Sequence, residues 1–280
     1  DGDMAAADEV IILMDNGSLR AEATLQLRVL ADALAASLKK PVWPVSLLHS
    51  SKLDPADLGG NPAQTLVPFM RGQGALGNDR FTIVPLFFGP SGALVDYLPK
   101  RVNELQREGW QELQVTVAPT LVRQEDTRIA EIMAELVADK LDELGWDRAS
   151  VAMCDHGTPA PAVNAVRALV AKQLEELLAD RRSRVTACSM ERREGAEYDF
   201  NQPLLEDLLG TDGYQGRVIV SMLFAGPGRH AGAQGDVAEI CSEAQQNYPQ
   251  LETRMTALVG SKADALVAVL ADRYRESAGG

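Results

Sequence analysis

The chain has 280 residues, 46% of them hydrophobic and 24% charged, a composition that excludes disordered, fibrous and collagen-like classes. Its 40 acidic side chains outnumber 27 basic ones, for a net charge of -13, and aromatic residues make up only 5%, so the surface repels phosphates and anionic lipid and offers no stacking platform for bases. No apolar run approaches the roughly 18 residues needed to span a bilayer, the first ten residues are acidic, unlike a secretory leader, and the 3 cysteines are too scattered for a disulfide framework or a structural zinc or iron–sulfur site. A cytoplasmic protein with neither nucleic-acid nor membrane partners is expected.

In chain order, short β-branched and apolar runs alternate with segments of helical period. Strands are predicted at Val10–Met14, Val42–Leu48, Phe81–Phe88 and Leu113–Pro119, then at Ser150–Cys154, Arg184–Met190, Arg217–Phe224 and Leu251–Leu258. Between them, Leu27, Leu30, Leu34 and Leu38 form one apolar stripe, and Val166, Val170, Leu174 and Leu177 another. A long helix is expected over Glu125–Leu144. This alternation is the pattern of βα units around a mainly parallel sheet.

The halves also repeat one another. Asp15-Asn16-Gly17-Ser18 returns as Asp155-His156-Gly157-Thr158, and Gly89-Pro90 returns as Gly226-Pro227, each pair closing a predicted strand. The expected fold class is therefore α/β, with two similar lobes, each a four-stranded mainly parallel sheet flanked by helices, and a cleft between them. The boundary is placed at Gly145-Trp146, giving lobes 1–145 and 146–280. A single closed barrel of eight βα pairs ranks second.

Only 3 histidines occur, His49, His156 and His230, and all fall at or just beyond the carboxyl end of a predicted strand, the edge where ligands bind in open α/β sheets. Glu191 ends another strand in the same way. His156, Glu191 and His230 follow successive strands of the second half; two imidazoles and a carboxylate suit a borderline divalent metal and also proton transfer. The plainer alternative is three strand-end polar groups satisfied by backbone. Thr158 is read as a helix N-cap with Pro159 first in the helix, so that Gly157 and Thr158 aim free N–H groups at the crevice. Cys154 and Cys188 are read as inert buried strand residues.

A strand followed by His-Gly-Thr, a glutamate at the next strand end and Gly-Pro-Gly-x-His after a third resembles the class II tetrapyrrole chelatases, which insert Fe(II) or Co(II) into sirohydrochlorin. The resemblance spans residues 9–275 and looks like the long, internally duplicated form. It implies that His156, Glu191 and His230 are both metal-handling and catalytic, and that the matching positions of the first half are Asn16, His49 and Ala93, a degenerate set. It further implies a lyase of sirohaem biosynthesis releasing two pyrrole protons, with Co(II) insertion toward cobalamin as the alternative. No organic cofactor is implied, and Gly260-Ser261-Lys262 lacks the spacing of a P-loop. The partners expected are sirohydrochlorin and the divalent metal ion, with the protein a monomer or homodimer. Arg192, Arg193, Arg229 and Arg20 stand near these motifs and suit the carboxylates of such a substrate, while Arg192-Arg193 beside Glu194, Glu197 and Asp199 equally suits a self-neutralised loop. A tetrapyrrole or metal carrier and a metal-dependent hydrolase are the readings from other classes.

Overall fold

The computed structural model describes residues 9–228 and 235–278. Among them, two four-stranded sheets form, with strand orders β2-β1-β3-β4 and β6-β5-β7-β8. The first holds β1 Glu9–Asp15, β2 Val42–Ser46, β3 Arg80–Pro85 and β4 Gln114–Val117. The second holds β5 Ala149–Asp155, β6 Arg182–Ser189, β7 Arg217–Met222 and β8 Glu252–Met255. Every pairing is parallel. The central strands are covered on both faces and therefore read as unbroken apolar runs: Ile11–Met14 and Val151–Cys154 are buried throughout. The eight βα pairs thus make two open sheets and not one barrel.

The described helices of ten residues or more are α1 Ala21–Leu38, α2 Leu66–Ala75, α3 Leu98–Arg107, α4 Arg128–Leu144, α5 Pro161–Leu178, α6 Asp236–Asn247 and α7 Ala263–Ala278. No described helix is long and apolar enough to cross a membrane. In the first half, Val10, Ile12, Met14, Phe69, Phe81 and Leu98 belong to one core cluster. In the second, Ala152, Leu205, Tyr214, Val220 and Met222 share another with all three cysteines, which are free thiols. Burial of Cys241 pushes its thiol up to about 11, and Cys154, beside Cys188, is pushed up as well, as expected of inert residues.

One helix face and the unit boundary differ from the sequence reading. In α5 the buried stripe is Arg167, Val170, Leu174 and Leu178, while Leu177 is exposed. The apolar pattern alone pointed one residue aside, because a buried arginine takes a place that the pattern reserves for an aliphatic side chain. The second difference is the boundary. The chain divides into one compact unit up to Leu121 completed by the segment from Val267, and another over Val122–Leu266, not at 145. Helix α4 packs on α5 and β7 and buries Ile129, Met133, Leu136, Val137 and Leu141, so it belongs to the second unit although it precedes the sequence repeat.

The first unit takes most of α7 in return. Arg273, almost fully buried, donates from Nε to the Thr120 carbonyl at 2.8 Å and from Nη2 to that of Leu121 at 2.7 Å. Tyr274 donates to Glu9 at 2.8 Å and accepts from Lys40 at 3.1 Å. These bonds fix α7 to both ends of the first unit's own segment. Replacing Arg273 by Leu leaves those two carbonyls without this donor and is expected to cost about 2–4 kcal/mol. Amide exchange in β1 and β3 should accelerate in the variant while β5 and β7 keep their protection; equal loss in both sheets would contradict this assignment.

Candidate active site

In both sheets the carboxyl ends of the strands open at the point where the strand order reverses, between β1 and β3 and between β5 and β7. At these ends the repeated Asp-x-Gly motif forms the same backbone device twice. In the second unit the Glu191 N–H donates to the His156 carbonyl at 3.2 Å and the Met190 N–H to the Asp155 carbonyl at 2.8 Å. In the first, Leu48 donates to Asn16 at 3.2 Å and Leu47 to Asp15 at 2.9 Å. Gly157 (φ 96°) and Gly17 (φ 102°) turn the chain away, and a Cβ there would stand 1.9 Å from the Glu191 carbonyl oxygen and 1.7 Å from that of Leu48. Only glycine satisfies both the left-handed backbone and this approach.

The device places the His156 and Glu191 side chains together, with Nε2 and Oε1 3.2 Å apart and both partly open to solvent. The other ring nitrogen, Nδ1, lies 3.0 Å from the Gly157 carbonyl. A carbonyl only accepts, so Nδ1 carries a hydrogen in this contact, and Nε2 is the ring atom that faces the carboxylate. An imidazole nitrogen and a carboxylate oxygen this close suit either a proton or a metal cation held between them. Metal bonds of about 2.1 Å at right angles would hold such donor atoms about 3.0 Å apart.

Beneath the pair lies a buried polar network. Asp155 Oδ1 accepts from the Gly157 N–H at 3.0 Å and from Ser189 Oγ at 2.5 Å. Ser189 Oγ in turn accepts from Arg167 Nη1 at 2.9 Å. The same guanidinium donates to the carbonyls of Phe200, Asn201 and Gln202 at 3.1, 2.8 and 3.2 Å. Asn201 clamps Thr158, its Oδ1 accepting from the Thr158 N–H at 3.0 Å and its Nδ2 donating to the Thr158 carbonyl at 2.9 Å. Burial raises the Asp155 carboxyl above its ordinary value, and Ser189, Arg167, the Gly157 amide and His156 pull it partly back.

The remaining expected residues are distributed as follows. His230 and Arg229 lie outside the described residues. Thr158 does not cap the helix: α5 begins at Pro161 with Ala160 as its N-cap, and Thr158 Oγ1 accepts from the Ala160 N–H at 3.0 Å in a turn before it. The Thr158 and Gly157 amides are engaged by Asn201 and Asp155 and so are not aimed free at a ligand. Arg192 donates to Asp199 at 2.6 Å and to the carbonyls of Gly195 and Arg193 at 2.5 and 3.1 Å, the self-neutralised loop. Arg193 is exposed beside it, and Arg20 is exposed in the first unit. His49 is exposed, with φ 74°, one residue past the position equivalent to Glu191, which the shared backbone device gives to Leu48. The first-unit counterparts are therefore Asn16 and Leu48 in place of Asn16 and His49. Among the described residues no three His, Cys, Asp or Glu side chains cluster to hold a metal; the described part of the expected set is the His156–Glu191 pair.

Asp155, Ser189, Arg167 and Asn201 escaped the sequence reading. The aspartate was visible as the first residue of both repeated motifs, and the arginine as the lone charge in the apolar stretch Val163–Val170. In the first unit Asp15 and Ser46 pair in the same register, yet Leu27, seventh in α1 as Arg167 is seventh in α5, stands where the cation would be. Without it, burial pushes the Asp15 carboxyl up to about 6, opposed only by Ser46 and local backbone, and its Oδ1 has no hydrogen-bond partner.

Two expectations follow from this geometry. The folded chain holds the Asp15 proton more tightly than the unfolded chain, whose value is near 3.8, so this carboxyl stabilises most below that pH and the contribution is lost as pH rises through about 6. Asp15→Asn should therefore gain on the order of 1–3 kcal/mol over wild type at about pH 7.5, with the gap closing by about pH 4. Urea midpoints differing equally at both pH values would contradict it. Gly157→Ala should cost at least about 1–3 kcal/mol and separate Glu191 from His156, read as loss of amide protection at Glu191.

No family model matches the chain, and no curated protein matches it in sequence. Solved structures match its fold over nearly the whole length. SirB from Bacillus subtilis with Fe3+ is 14% identical, with a TM-score of 0.64 covering 96% of this chain and 95% of that one. The sirohydrochlorin chelatase SirB from Bacillus subtilis subspecies spizizenii in complex with cobalt is 13% identical, with a TM-score of 0.64 over 97% and 95%. CbiX, the terminal enzyme for siroheme biosynthesis in denitrifying bacteria, is 16% identical, with a TM-score of 0.57 over 96% and 99%. The chain therefore has the two-sheet α/β fold of the sirohydrochlorin chelatases.

Proposed function

We propose that the chain inserts a divalent metal ion into sirohydrochlorin and releases two pyrrole protons, with Fe(II) as the metal and sirohaem as the product. The observation that carries this reading is the His156 Nε2–Glu191 Oε1 pair, an imidazole nitrogen and a carboxylate oxygen 3.2 Å apart at the carboxyl edge of the second sheet. The fold it shares with SirB and CbiX supports the same reading. The metal ion, here a substrate, is first held between Nε2 and the carboxylate, with His230 as the third group that the motif implies. As the metal passes to the ring, Nε2 regains its lone pair and takes a pyrrole proton. Glu191, more than half exposed, passes protons to solvent. Two protons leave for each dication that enters, so the macrocycle's charge is unchanged and no redox step is needed. Arg193, two residues after Glu191 and exposed, is available for substrate carboxylates, whereas Arg192 is held by its own loop.

The test is anaerobic incubation of sirohydrochlorin with Fe(II) or Co(II), with and without protein, followed by absorption. Protein should accelerate insertion, and the faster metal identifies the favoured substrate. His156→Ala should lose about 100-fold or more of the rate, while Asn16→Ala changes little. An insertion rate unchanged by protein overturns the reading, and tight pigment binding without turnover would make the chain a carrier.

A further inference from the structure

We propose that Arg167 is a positioning residue for the metal-handling pair, acting through two tethers that fix the His156-Gly157-Thr158 turn. It rests on the function proposed above and assigns to that site a residue that touches neither metal nor pigment. The first tether runs from Arg167 Nη1 to Ser189 Oγ, from Ser189 to Asp155 Oδ1, and from that oxygen to the Gly157 N–H. The second runs from the guanidinium to the carbonyls of residues 200–202, and from the Asn201 side chain to both backbone groups of Thr158. The two tethers grip consecutive residues directly after His156. Gly157 is also the residue whose carbonyl holds the His156 ring and whose missing Cβ admits Glu191. The 156–157 peptide meets the Glu191 N–H and the 157–158 peptide carries the carbonyl that holds the ring, so a shift of this turn would disturb both the imidazole and the glutamate.

A second copy of the turn inside the same chain serves as the control. The first unit retains the aspartate, the serine and the glycine at Asp15, Ser46 and Gly17 but has Leu27 in the place of Arg167. There the metal-competent side chains are replaced by Asn16 and Leu48. The cation is present where the His–Glu pair is present and absent where it is absent. A purely structural requirement of the turn would call for the arginine in both units. The Leu27 environment also shows that the fold accommodates an aliphatic side chain at this position of the helix.

The experiment compares wild type, Arg167→Leu and Arg167→Lys in the full chain. The readouts are Co(II) affinity from its visible absorption, insertion kinetics and residue-resolved amide exchange. Arg167→Leu should weaken Co(II) binding about 10–100-fold, the usual effect of removing an outer-shell partner. It should lower kcat with KM for the pigment unchanged, and speed exchange at Gly157 and Thr158 at least about 10-fold while the interior of β5 stays protected. Arg167→Lys should restore part of the metal affinity. Unchanged exchange at Gly157 and Thr158 together with unchanged Co(II) affinity overturns the proposal. If Arg167→Leu loses protection throughout β5, Asn201→Ala decides, since it cuts the Thr158 tether and spares the Arg167–Ser189–Asp155 chain; unchanged Co(II) affinity there overturns the proposal. Wild type that neither binds Co(II) nor accelerates insertion would refute the function, and amide exchange would still read the tethers.

Discussion

The contact on which the site depends is a backbone one: the carbonyl of Glu191 enters the space that any side chain on Gly157 would fill. It follows from the parallel register that sets Asp155 against Ser189, because the two strands end level and their loops must then cross closely. Once the peptides interlock, the side chains on either side have little choice of position. His156 is held by its own neighbour's carbonyl and Glu191 is delivered to its ring edge. Electrostatics then takes over from sterics, since an imidazole nitrogen and a carboxylate oxygen in contact favour a cation between them, a proton or a metal ion.

The two units show how one backbone device can be retained while its chemistry diverges. Each has an aspartate at the end of its first strand, a serine opposite and a glycine two residues on. In the second unit a guanidinium compensates the buried carboxyl through the serine, and the loop beyond carries ionisable side chains. In the first the carboxyl has no such cation, and the loop carries an amide and an aliphatic side chain. A buried carboxyl without a cation keeps its proton up to about pH 6, and above that it ionises at a cost in stability.

Much of the architecture was legible because central parallel strands are apolar from end to end and recur with the helices between them. Strand ends were less so: Leu86, Phe87 and Phe88 continue the apolar run of β3 although the strand stops at Pro85, since residues beyond a sheet edge can still be buried in loops. His156 and Glu191 were readable as strand-end groups. Their support was not, because Arg167 and Asn201 reach the site through tertiary contacts more than thirty residues apart in sequence. The assignment of His49 opposite Glu191 failed by one residue, a shift that only backbone bonding reveals. The unit boundary failed for a related reason: a repeat records which segments were copied, whereas packing decides which sheet a helix covers.

The placement of α7 bears on how the molecule is made. The first unit begins to emerge early in synthesis, yet its closing helix comes from residues translated after the whole of the second unit. Until Arg273 and Tyr274 arrive, the carbonyls of Thr120 and Leu121 lack their arginine donor and the Glu9 carboxylate lacks one of its two hydroxyl donors. The second unit, continuous in sequence, has all its parts beforehand. The first unit therefore cannot close before residues that follow the whole of the second unit have been made, whereas the second unit is built from one continuous stretch.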